Sequence, residues 1–340
     1  MKNLLKYLLV FLFALTCKNT ENKELVESDE LVIAFGSCNR QNVENKLWQP
    51  ILDSEASVWI WGGDVIYSDT DDMELMKEHY QQQMNQNGYK EFTEKVKVLG
   101  TWDDHDYGLN DGGEEFAAKQ GSQELFLDFI GVDKSDERRN REGVYHAEVV
   151  KTNSGSVNII VLDTRYFRSN LTKSENPDFR YQSNAYGEGT MLGEEQWQWL
   201  EDELTNSKAD FNLVVSSIQF LSHEHGFEAW GNMPHEVDKL KTIIKETHAE
   251  NVIILSGDRH ISEFSKTNIR KLDYPLIDFT SSGMTHAYES FDGEPNQYRI
   301  GEVVHTLSFG LLKFNFEKRE VIMQMRGVDN VLQQEITQTY

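Results

Sequence analysis

The stretch LVIAFGSCNRQNVENKLWQPILDSEASVWIWGGD, residues 31–64, decides the fold of this 340-residue chain. It contains two short apolar runs, at 31–37 and 57–64, and each run ends in glycine followed by a polar residue, as short buried strands do. The segment between the two runs, NVENKLWQPILDS, has the composition of a helix. A strand, a helix and a second strand in this order predict an α/β fold.

The same alternation continues through most of the chain. Helices are predicted at 71–85, 114–130, 193–204 and 234–248, and strands within 95–106, 156–165, 211–220 and 251–260. The last part differs, because 274–283, 302–317 and 319–328 resemble successive strands with little helix between them. We therefore expect an antiparallel edge there, and a single domain over 31–340, because no segment rich in Pro, Gly or Ser divides it.

The N-terminal residues predict export. Residues 1–17 combine two lysines with an apolar run that is too short to span a bilayer, which is typical of a signal peptide. Cys17 follows the sequence ALT and resembles a lipoprotein processing site, with plain cleavage as the alternative. Residues 18–30 have the composition of a flexible tether. The protein is therefore expected in the periplasm, or at the outer membrane or cell surface through a lipidated Cys17.

The charge of the chain limits its partners. Lys and Arg number 33 against 57 Asp and Glu, a formal net charge of −24, which should repel nucleic acid and anionic lipid. The acids are spread along the chain and indicate solubility rather than a partner, so no protein partner is inferred.

Chemically active side chains follow the predicted strands, where α/β sheets bind their ligands. They are Ser37, Cys38, Asp64, Tyr67, Asp103, Asp104, His105, Asp106, Asp163, Arg165, Gln219, Asp258 and His260. Buried acids would repel each other unless cations were present, so metal binding is the simplest explanation. Sulfur, nitrogen and oxygen donors suit a transition ion beside a harder cation, and a thiolate with a phenolate favours iron(III).

Structural alternatives remain open for most of these residues. Cys38 could be a small buried hydrophobe, and Asp64 could cap a helix. The aspartate of SGDRH could cap a turn, and Gln219 could be a hydrogen-bonded core amide. Arg165 could pair with an acid. The WDDHD segment is harder to explain in this way, because three acids around one histidine are costly without a charge partner.

The ordered motifs FGSCN, GGDVIYSD, WDDHDYGLNDGG, VLDTRYF and LSGDRH resemble the PhoD-type alkaline phosphatase D family of metallophosphoesterases over about residues 35–283. The resemblance implies a two-sheet sandwich flanked by helices, in α-β-β-α layers. It also implies hydrolysis of phosphate monoesters or diesters outside the cytoplasmic membrane, with iron(III) and calcium, or another divalent metal, as cofactors. The extra N-terminal β-domain of longer relatives is not expected, because the first motif begins soon after the tether.

The resemblance further implies a role for each matching residue. The implied metal ligands are Cys38 and Tyr67 for iron, Asp64 as the bridge, Asp104 for the second metal, Asp258 and His260 for both sites, and Gln219. In the implied mechanism a hydroxide activated by two metals attacks phosphorus while Arg165 neutralises phosphoryl oxygens. His105 protonates the leaving oxygen and Asp106 orients its ring. The alternative function is a non-catalytic surface lipoprotein that binds calcium or a phosphorylated ligand on the same scaffold.

Overall fold

A computed structural model of the chain describes residues 25–26 and 30–340. The predicted signal peptide, Cys17 and most of the predicted tether lie outside these residues. The helices are α1 (Trp48–Asp53), α2 (Met73–Met84), α3 (Tyr89–Lys95), α4 (Asp104–Tyr107), α5 (Lys119–Phe129), α6 (Gly193–Asn206) and α7 (Pro234–Glu246). Among the described helices, none is both long and apolar enough to cross a membrane.

The strands form two large sheets and one small hairpin. They are β1 (Leu25–Val26), β2 (Leu31–Gly36), β3 (Val58–Gly62), β4 (Lys97–Thr101), β5 (His146–Thr152), β6 (Ser156–Val161), β7 (Thr172–Lys173), β8 (Tyr181–Gln182), β9 (Phe211–Val215), β10 (Val252–Ser256), β11 (Ser262–Thr267), β12 (Leu276–Ser281), β13 (Arg299–Val304), β14 (Phe309–Asn315), β15 (Glu320–Arg326) and β16 (Leu332–Thr339). One sheet has the order β1-β5-β6-β9-β10-β12-β11-β13, the other has the order β16-β15-β14-β2-β3-β4, and β7 pairs with β8. The predicted antiparallel edge is confirmed, because β14, β15 and β16 pair antiparallel.

The apolar runs of the opening stretch are continuous because both faces of their sheet are covered. Ile33 and Phe35 of β2 point into the core between the two sheets, together with residues of the eight-stranded sheet such as Ile159. Trp59 and Trp61 of β3 point to the other side, where α1, α2, α3 and α5 pack. The helices α6 and α7 cover the outer face of the eight-stranded sheet. The predicted α-β-β-α sandwich is therefore confirmed.

Two predicted helices begin later than the sequence suggested. Residues 42–47 form turns, and α1 starts only at Trp48. The side chain of Asn45 accepts a hydrogen bond from the Leu47 N–H at 2.8 Å and donates to Asn39 at 2.9 Å. Such local side-chain bonds compete with helical backbone bonding, so the polar start of the segment stays irregular. In the same way, α5 occupies only the later part of 114–130.

The carboxyl ends of strands from both sheets meet at one edge of the sandwich. Gly257 directly follows β10, and a Cβ atom placed there would lie 2.5 Å from the Ser37 hydroxyl oxygen and 2.7 Å from the Gly62 carbonyl oxygen. Ser37 follows β2, and Gly62 ends β3. Because only glycine permits this contact, loops from the two sheets can contribute side chains to one site.

Candidate active site

A pocket of about 360 Å³ opens where the two sheets meet. It is lined by Asp104, His105, Asn110, Asp111, Arg180, Phe227, Glu228, Asp258, Arg259, His260, Ala287 and Tyr288. The six-stranded sheet contributes the loop after β4, and the eight-stranded sheet contributes the loop after β10. The pocket therefore lies at the edge that the strand pattern predicts for ligand binding.

The thiol of Cys38 is fully buried and does not line the pocket, but its sulfur lies 3.4 Å from the carbonyl oxygen of Asp258, which does. Its sulfur accepts a hydrogen bond from the Ser282 hydroxyl at 2.9 Å and donates to an Asp64 carboxylate oxygen at 3.3 Å. Burial, followed by the charge of Asp258, raises the pKa of the thiol to about 12. Polar neighbours on several sides distinguish Cys38 from a cysteine that merely fills an apolar core.

Tyr67 and His260 join the same cluster. The Tyr67 hydroxyl lies 3.2 Å from Asp64 Oδ2 and 3.0 Å from His260 Nε2. Ligand atoms of Cys38, Asp64 and His260 lie within 4.8 Å of one another. The backbone carbonyl oxygen of Asp258 lies 3.4 Å from the Cys38 sulfur, while its carboxylate faces Asp103 and Asp104. We call these five predicted ligands the ligand cluster: Cys38, Asp64, Tyr67, Asp258 and His260.

The backbone of the ligand cluster is strained. Four of its residues have φ angles in the left-handed region, which residues other than glycine rarely adopt. The angles are 60° at Cys38, 53° at Asp64, 67° at Asp258 and 55° at His260. Each such residue costs on the order of 1–3 kcal/mol and persists where the surrounding structure enforces it. Backbone strain at four residues of one cluster is typical of a functional site rather than of a simple turn.

A second acidic group lies beside the ligand cluster. Carboxylate oxygens of Asp103, Asp104 and Asp258 lie within 4.8 Å of one another, and so do ligand atoms of Asp64, Asp104 and His105. Asp103 is fully buried, yet its Oδ2 has no hydrogen-bond partner. A buried carboxylate oxygen without a partner is costly, and a bound cation would satisfy it. Asp64 and Asp104 belong to more than one of these groups, so either could bridge two ions.

The pKa shifts show that the site is short of positive charge. Burial, and then the Cys38 and Asp104 charges, raise the pKa of Asp64 well above its usual value. Burial likewise raises the pKa of Asp258 to about 7. Asp104 differs, since burial is outweighed by the Arg165 and His105 charges, and its pKa is lowered to about 2. A metal ion would supply the missing charge and keep these groups ionised, so the donor set fits a metal centre.

His105 is held by a carboxylate that the sequence reasoning missed. Its Nδ1 lies 2.8 Å from both carboxylate oxygens of Asp69. Its ring stacks on Tyr67 with 4.0 Å between ring centroids. The Asp64, Asp69 and Asp104 carboxylates overcome the opposing effect of burial and raise the pKa of His105 to about 10. Asp69 was visible within the GGDVIYSD motif, five residues after Asp64.

The role predicted for Asp106 is not the one that the structure gives it. Its carboxylate accepts hydrogen bonds from the backbone N–H groups of Asp103 at 2.6 Å, Asp64 at 3.3 Å and Val65 at 3.1 Å. Asp106 therefore fixes the two loops that carry the acids, and the orientation of the His105 ring falls to Asp69.

A family model described as PhoD-like phosphatase matches residues 33–297. This chain belongs to the PhoD-like phosphatase family. The family resemblance seen in the motifs is thereby confirmed.

Two comparisons with individual proteins agree with this membership. The chain is similar to alkaline phosphatase D of Bacillus subtilis (strain 168), with 28% identity over 117 residues, 32% of this chain and 20% of that protein. It therefore aligns with about a fifth of this curated relative's length. A solved structure of PhoD is similar with a TM-score of 0.71 at 16% identity, covering 92% of this chain and 69% of that one. At that identity the structural likeness supports the fold alone.

In this PhoD-like chain, Arg165 does not reach the pocket. Its guanidinium is fully buried and binds Asp103 and Glu228, with 2.6 Å from Nη1 to the Glu228 carboxylate. Glu228 in turn lies 2.9 Å from Arg168 Nε. We call Asp103, Arg165, Glu228 and Arg168 the arginine chain. The prediction that Arg165 neutralises phosphoryl oxygens is therefore wrong, because the guanidinium is already paired with the Asp103 and Glu228 carboxylates of the arginine chain.

Two other arginines line the pocket of this family member. The Arg180 side chain is 43% exposed and forms an ion pair with Asp111. Arg259 is mostly buried and donates to both carboxylate oxygens of Glu294, at 2.8 and 2.9 Å. Arg180 is thus the more accessible guanidinium. The strand pattern did not predict it, because it lies in the β7–β8 hairpin, far from any predicted strand end.

Gln219 is buried and does not line the pocket. Its amide nitrogen donates to Glu263 at 2.8 Å and to Thr280 at 2.9 Å, as in the alternative of a hydrogen-bonded core amide. Its Oε1 is buried without a hydrogen-bond partner, so the role of Gln219 as a metal ligand stays a prediction.

Proposed function

We propose that this chain is an exported, metal-dependent hydrolase of phosphate monoesters, phosphodiesters or both. Family membership supports a phosphoesterase. The observation that carries the proposal is the meeting of a thiol, a phenol, carboxylates and an imidazole in one buried cluster, of which His260 and Asp258 also line the pocket. The Asp103 Oδ2, buried without a hydrogen-bond partner beside Asp104 and Asp258, adds support, because a bound cation would satisfy it.

Two metal positions follow from the donor chemistry. Cys38, Tyr67, Asp64 and His260 would hold a strongly Lewis-acidic ion, for which iron(III) is our first choice. Asp64, Asp104 and Asp258 offer only oxygen donors and would hold calcium or another hard divalent cation. When bound, such ions would polarise phosphoryl oxygens and lower the pKa of a coordinated water.

The side chains around these positions divide the remaining tasks. His105 lines the pocket, and Asp69 occupies its Nδ1, which leaves Nε2 to carry a proton toward the leaving oxygen of the ester. Arg180, at the rim, would pair with phosphoryl oxygens and so take the role first expected of Arg165. Asp111 and Tyr181 hold Arg180 in place, and the Tyr181 hydroxyl donates to Asp111 at 2.7 Å.

Export and attachment remain part of the proposal. Residues 1–17 would direct secretion, and a lipidated Cys17 would attach the protein to the membrane. Mass spectrometry of the membrane fraction, comparing wild type with Cys17→Ser, tests this. A diacylglyceryl adduct on the Cys17 peptide is expected, and its absence would leave plain cleavage.

The central test joins metal analysis to hydrolysis. Protein purified without chelator should contain iron and a second metal, and it should hydrolyse p-nitrophenyl phosphate or its bis ester. Chelation should abolish both activities and metal addition should restore them. Metal binding without hydrolysis of either ester would favour the alternative of a non-catalytic binding protein.

A further inference from the structure

Two aromatic side chains stand exposed at the pocket that holds the proposed catalytic groups. Phe227 and Tyr288 are each 39% exposed, and both line the pocket. Large aromatic rings gain free energy when they leave water, so exposed rings beside a reaction site commonly mark a binding surface. The mechanism proposed above uses neither ring.

The Phe227 ring is held in place. The guanidinium carbon of Arg259 lies over the ring, 4.1 Å from its centroid. Both carboxylate oxygens of Glu294 fix Arg259 in turn. The neighbouring Gly226 carbonyl accepts backbone hydrogen bonds from Arg180 and Tyr181, each at 2.9 Å. A ring so fixed, with a planar guanidinium stacked on it, loses little conformational entropy when a flat ligand packs beside it.

Tyr288 is attached to the loop that carries His260. Its backbone N–H donates to the His260 carbonyl at 2.8 Å, so the ring position is coupled to a proposed metal ligand. Its ring centroid lies 6.0 Å from that of Phe291 at an interplanar angle of 86°. Phe227 and Tyr288 are therefore both attached to backbone next to site residues, since Phe227 directly precedes the buried Glu228.

We propose that Phe227 and Tyr288 determine substrate specificity by packing against a planar nucleobase or aryl ring carried by the alcohol part of the phosphate ester. This inference rests on the proposed function and names its substrate class. A volume of about 360 Å³ suits a small ester rather than a folded protein partner. The net charge of −24 opposes a polynucleotide, whereas one phosphate can pair with Arg180.

The test compares esters that share one leaving oxygen. Adenosine 5′-phosphate and ribose 5-phosphate both release a ribose 5′-hydroxyl and differ only in the base. The methyl esters of the two phosphates form the corresponding diester pair. With metal-loaded protein, the base should raise kcat/KM by about tenfold or more, the range expected for one aromatic stacking contact.

Substitutions locate the contact. Phe227→Leu and Tyr288→Leu should each move the kcat/KM ratio of the pair toward 1. Phe227→Tyr and Tyr288→Phe keep a ring and should keep the ratio. Tyr186→Leu is the matched control, because this aromatic side chain is 71% exposed and does not line the pocket. The ratio should not change in that variant.

The failures of the two proposals are distinguishable. Hydrolysis of both members of a pair with a ratio near 1 in the wild type would overturn the stacking inference and leave the phosphoesterase proposal standing. A high ratio that survives both leucine substitutions would also overturn it. No hydrolysis of either pair by the metal-loaded protein would count against the proposed function itself, and with it the inference.

Discussion

Two buried polar groups lie side by side beneath the pocket, and they differ in what balances their charge. In the arginine chain, Asp103 and Glu228 each pair with the Arg165 guanidinium, with 2.6 Å to Nε and Nη1 respectively. In the ligand cluster, Asp64 and Asp258 form no ion pair with an arginine or lysine of residues 30–340. Burial raises the pKa of the acids in both groups, so the presence of a paired guanidinium is what distinguishes them.

The arginine chain is therefore interpreted as a structural charge network and the ligand cluster as a functional one. Paired charges can stay ionised in the interior, because each partner replaces part of the lost hydration of the other. Unpaired buried acids have raised pKa values, which an external cation would lower. Asp103 of the arginine chain also borders the ligand cluster, since Oδ1 faces Arg165 while Oδ2 is unpartnered in the carboxylate group of Asp103, Asp104 and Asp258. The arginine chain thus supports one wall of a site that is completed by metal.

The largest effect should come from the ligand cluster. Asp64→Asn should lower metal content and reduce kcat/KM by about 10³-fold or more. Substituting a residue that contacts only a metal ligand typically costs about 10–100-fold, which is less. Asparagine tolerates the left-handed backbone at this position. In chelator, the free energy of unfolding should stay equal or rise, because one buried acid has been removed. Elemental analysis, kinetics and urea unfolding measure the three quantities.

The control for this substitution is Asp71→Asn, at an exposed aspartate away from the pocket. Metal content, rate and stability should all remain at wild-type values. If Asp64→Asn instead lost stability in chelator, the ligand cluster would be balanced internally, and the contrast with the arginine chain would disappear.

The arginine chain should show the opposite pattern. Arg165→Met leaves Asp103 and Glu228 without their shared guanidinium, and breaking a buried ion pair in this way costs about 3–5 kcal/mol. Urea unfolding of the metal-free protein should detect the loss. Arg270→Met, at an exposed arginine, should change stability by less than about 0.5 kcal/mol. Equal free energies of unfolding for both variants would show that the ion pairs of the arginine chain do not stabilise the protein.

A smaller effect should separate Asp69 from its neighbours. Asp69→Asn should lower kcat by about tenfold to 10²-fold, less than His105→Ala, because a positioned general acid contributes about 10²-fold or more. Metal content should stay unchanged, since Asp69 contacts the ring and not the ligand cluster. In a double-mutant cycle the Asp69 effect should vanish when His105 is already alanine. Additive losses would mean that Asp69 acts independently of His105.

The smallest effect is a pH dependence of stability caused by His146, a buried histidine that forms no ion pair within the described part of the chain. His146 donates from Nδ1 to the Val144 carbonyl oxygen at 3.1 Å, and its Nε2 has no partner. Burial, followed by the Arg138 charge, lowers the pKa of His146 to about 3. In the unfolded chain His146 binds a proton near pH 6.5. The free energy of unfolding is therefore not reduced by His146 above that pH, and it falls as the pH drops from 6.5 toward 3. The loss should reach about 2 kcal/mol by pH 5.

His146→Asn keeps a donor near Nδ1 and does not titrate. Its unfolding free energy, measured without metal, should fall less steeply between pH 6.5 and pH 5 than that of the wild type. Identical slopes for both proteins would mean that His146 is protonated in the folded state.

The sequence was informative wherever a residue followed directly from strand order. Cys38, Asp64 and Asp258 come within two residues of strands β2, β3 and β10, and parallel strands bring their carboxyl ends to one edge. The apolar runs likewise predicted both sheets, because strands covered on both faces must be apolar throughout.

The sequence was less informative about which way a side chain turns after the strand ends. Asp106 and Arg165 lie at predicted strand ends, yet the first binds backbone N–H groups and the second pairs with acids behind the pocket. Asp69 and Arg180 act from a loop and a hairpin, where no periodic pattern applies. These placements depend on tertiary contacts between distant segments, which spacing along the chain does not encode.

The position of β2 in its sheet has a consequence for how the chain folds. Its parallel neighbour β3 follows shortly, but its antiparallel neighbour β14 pairs Leu31 with Phe314, near the other end of the chain. The Ser282 hydroxyl that contacts the Cys38 sulfur is likewise 244 residues away. Contacts so distant in sequence must overcome a large loop-closure entropy, which slows folding. The six-stranded sheet and the thiol environment can therefore form only after nearly all of the chain has been synthesised, so the proposed export could precede the formation of the active site.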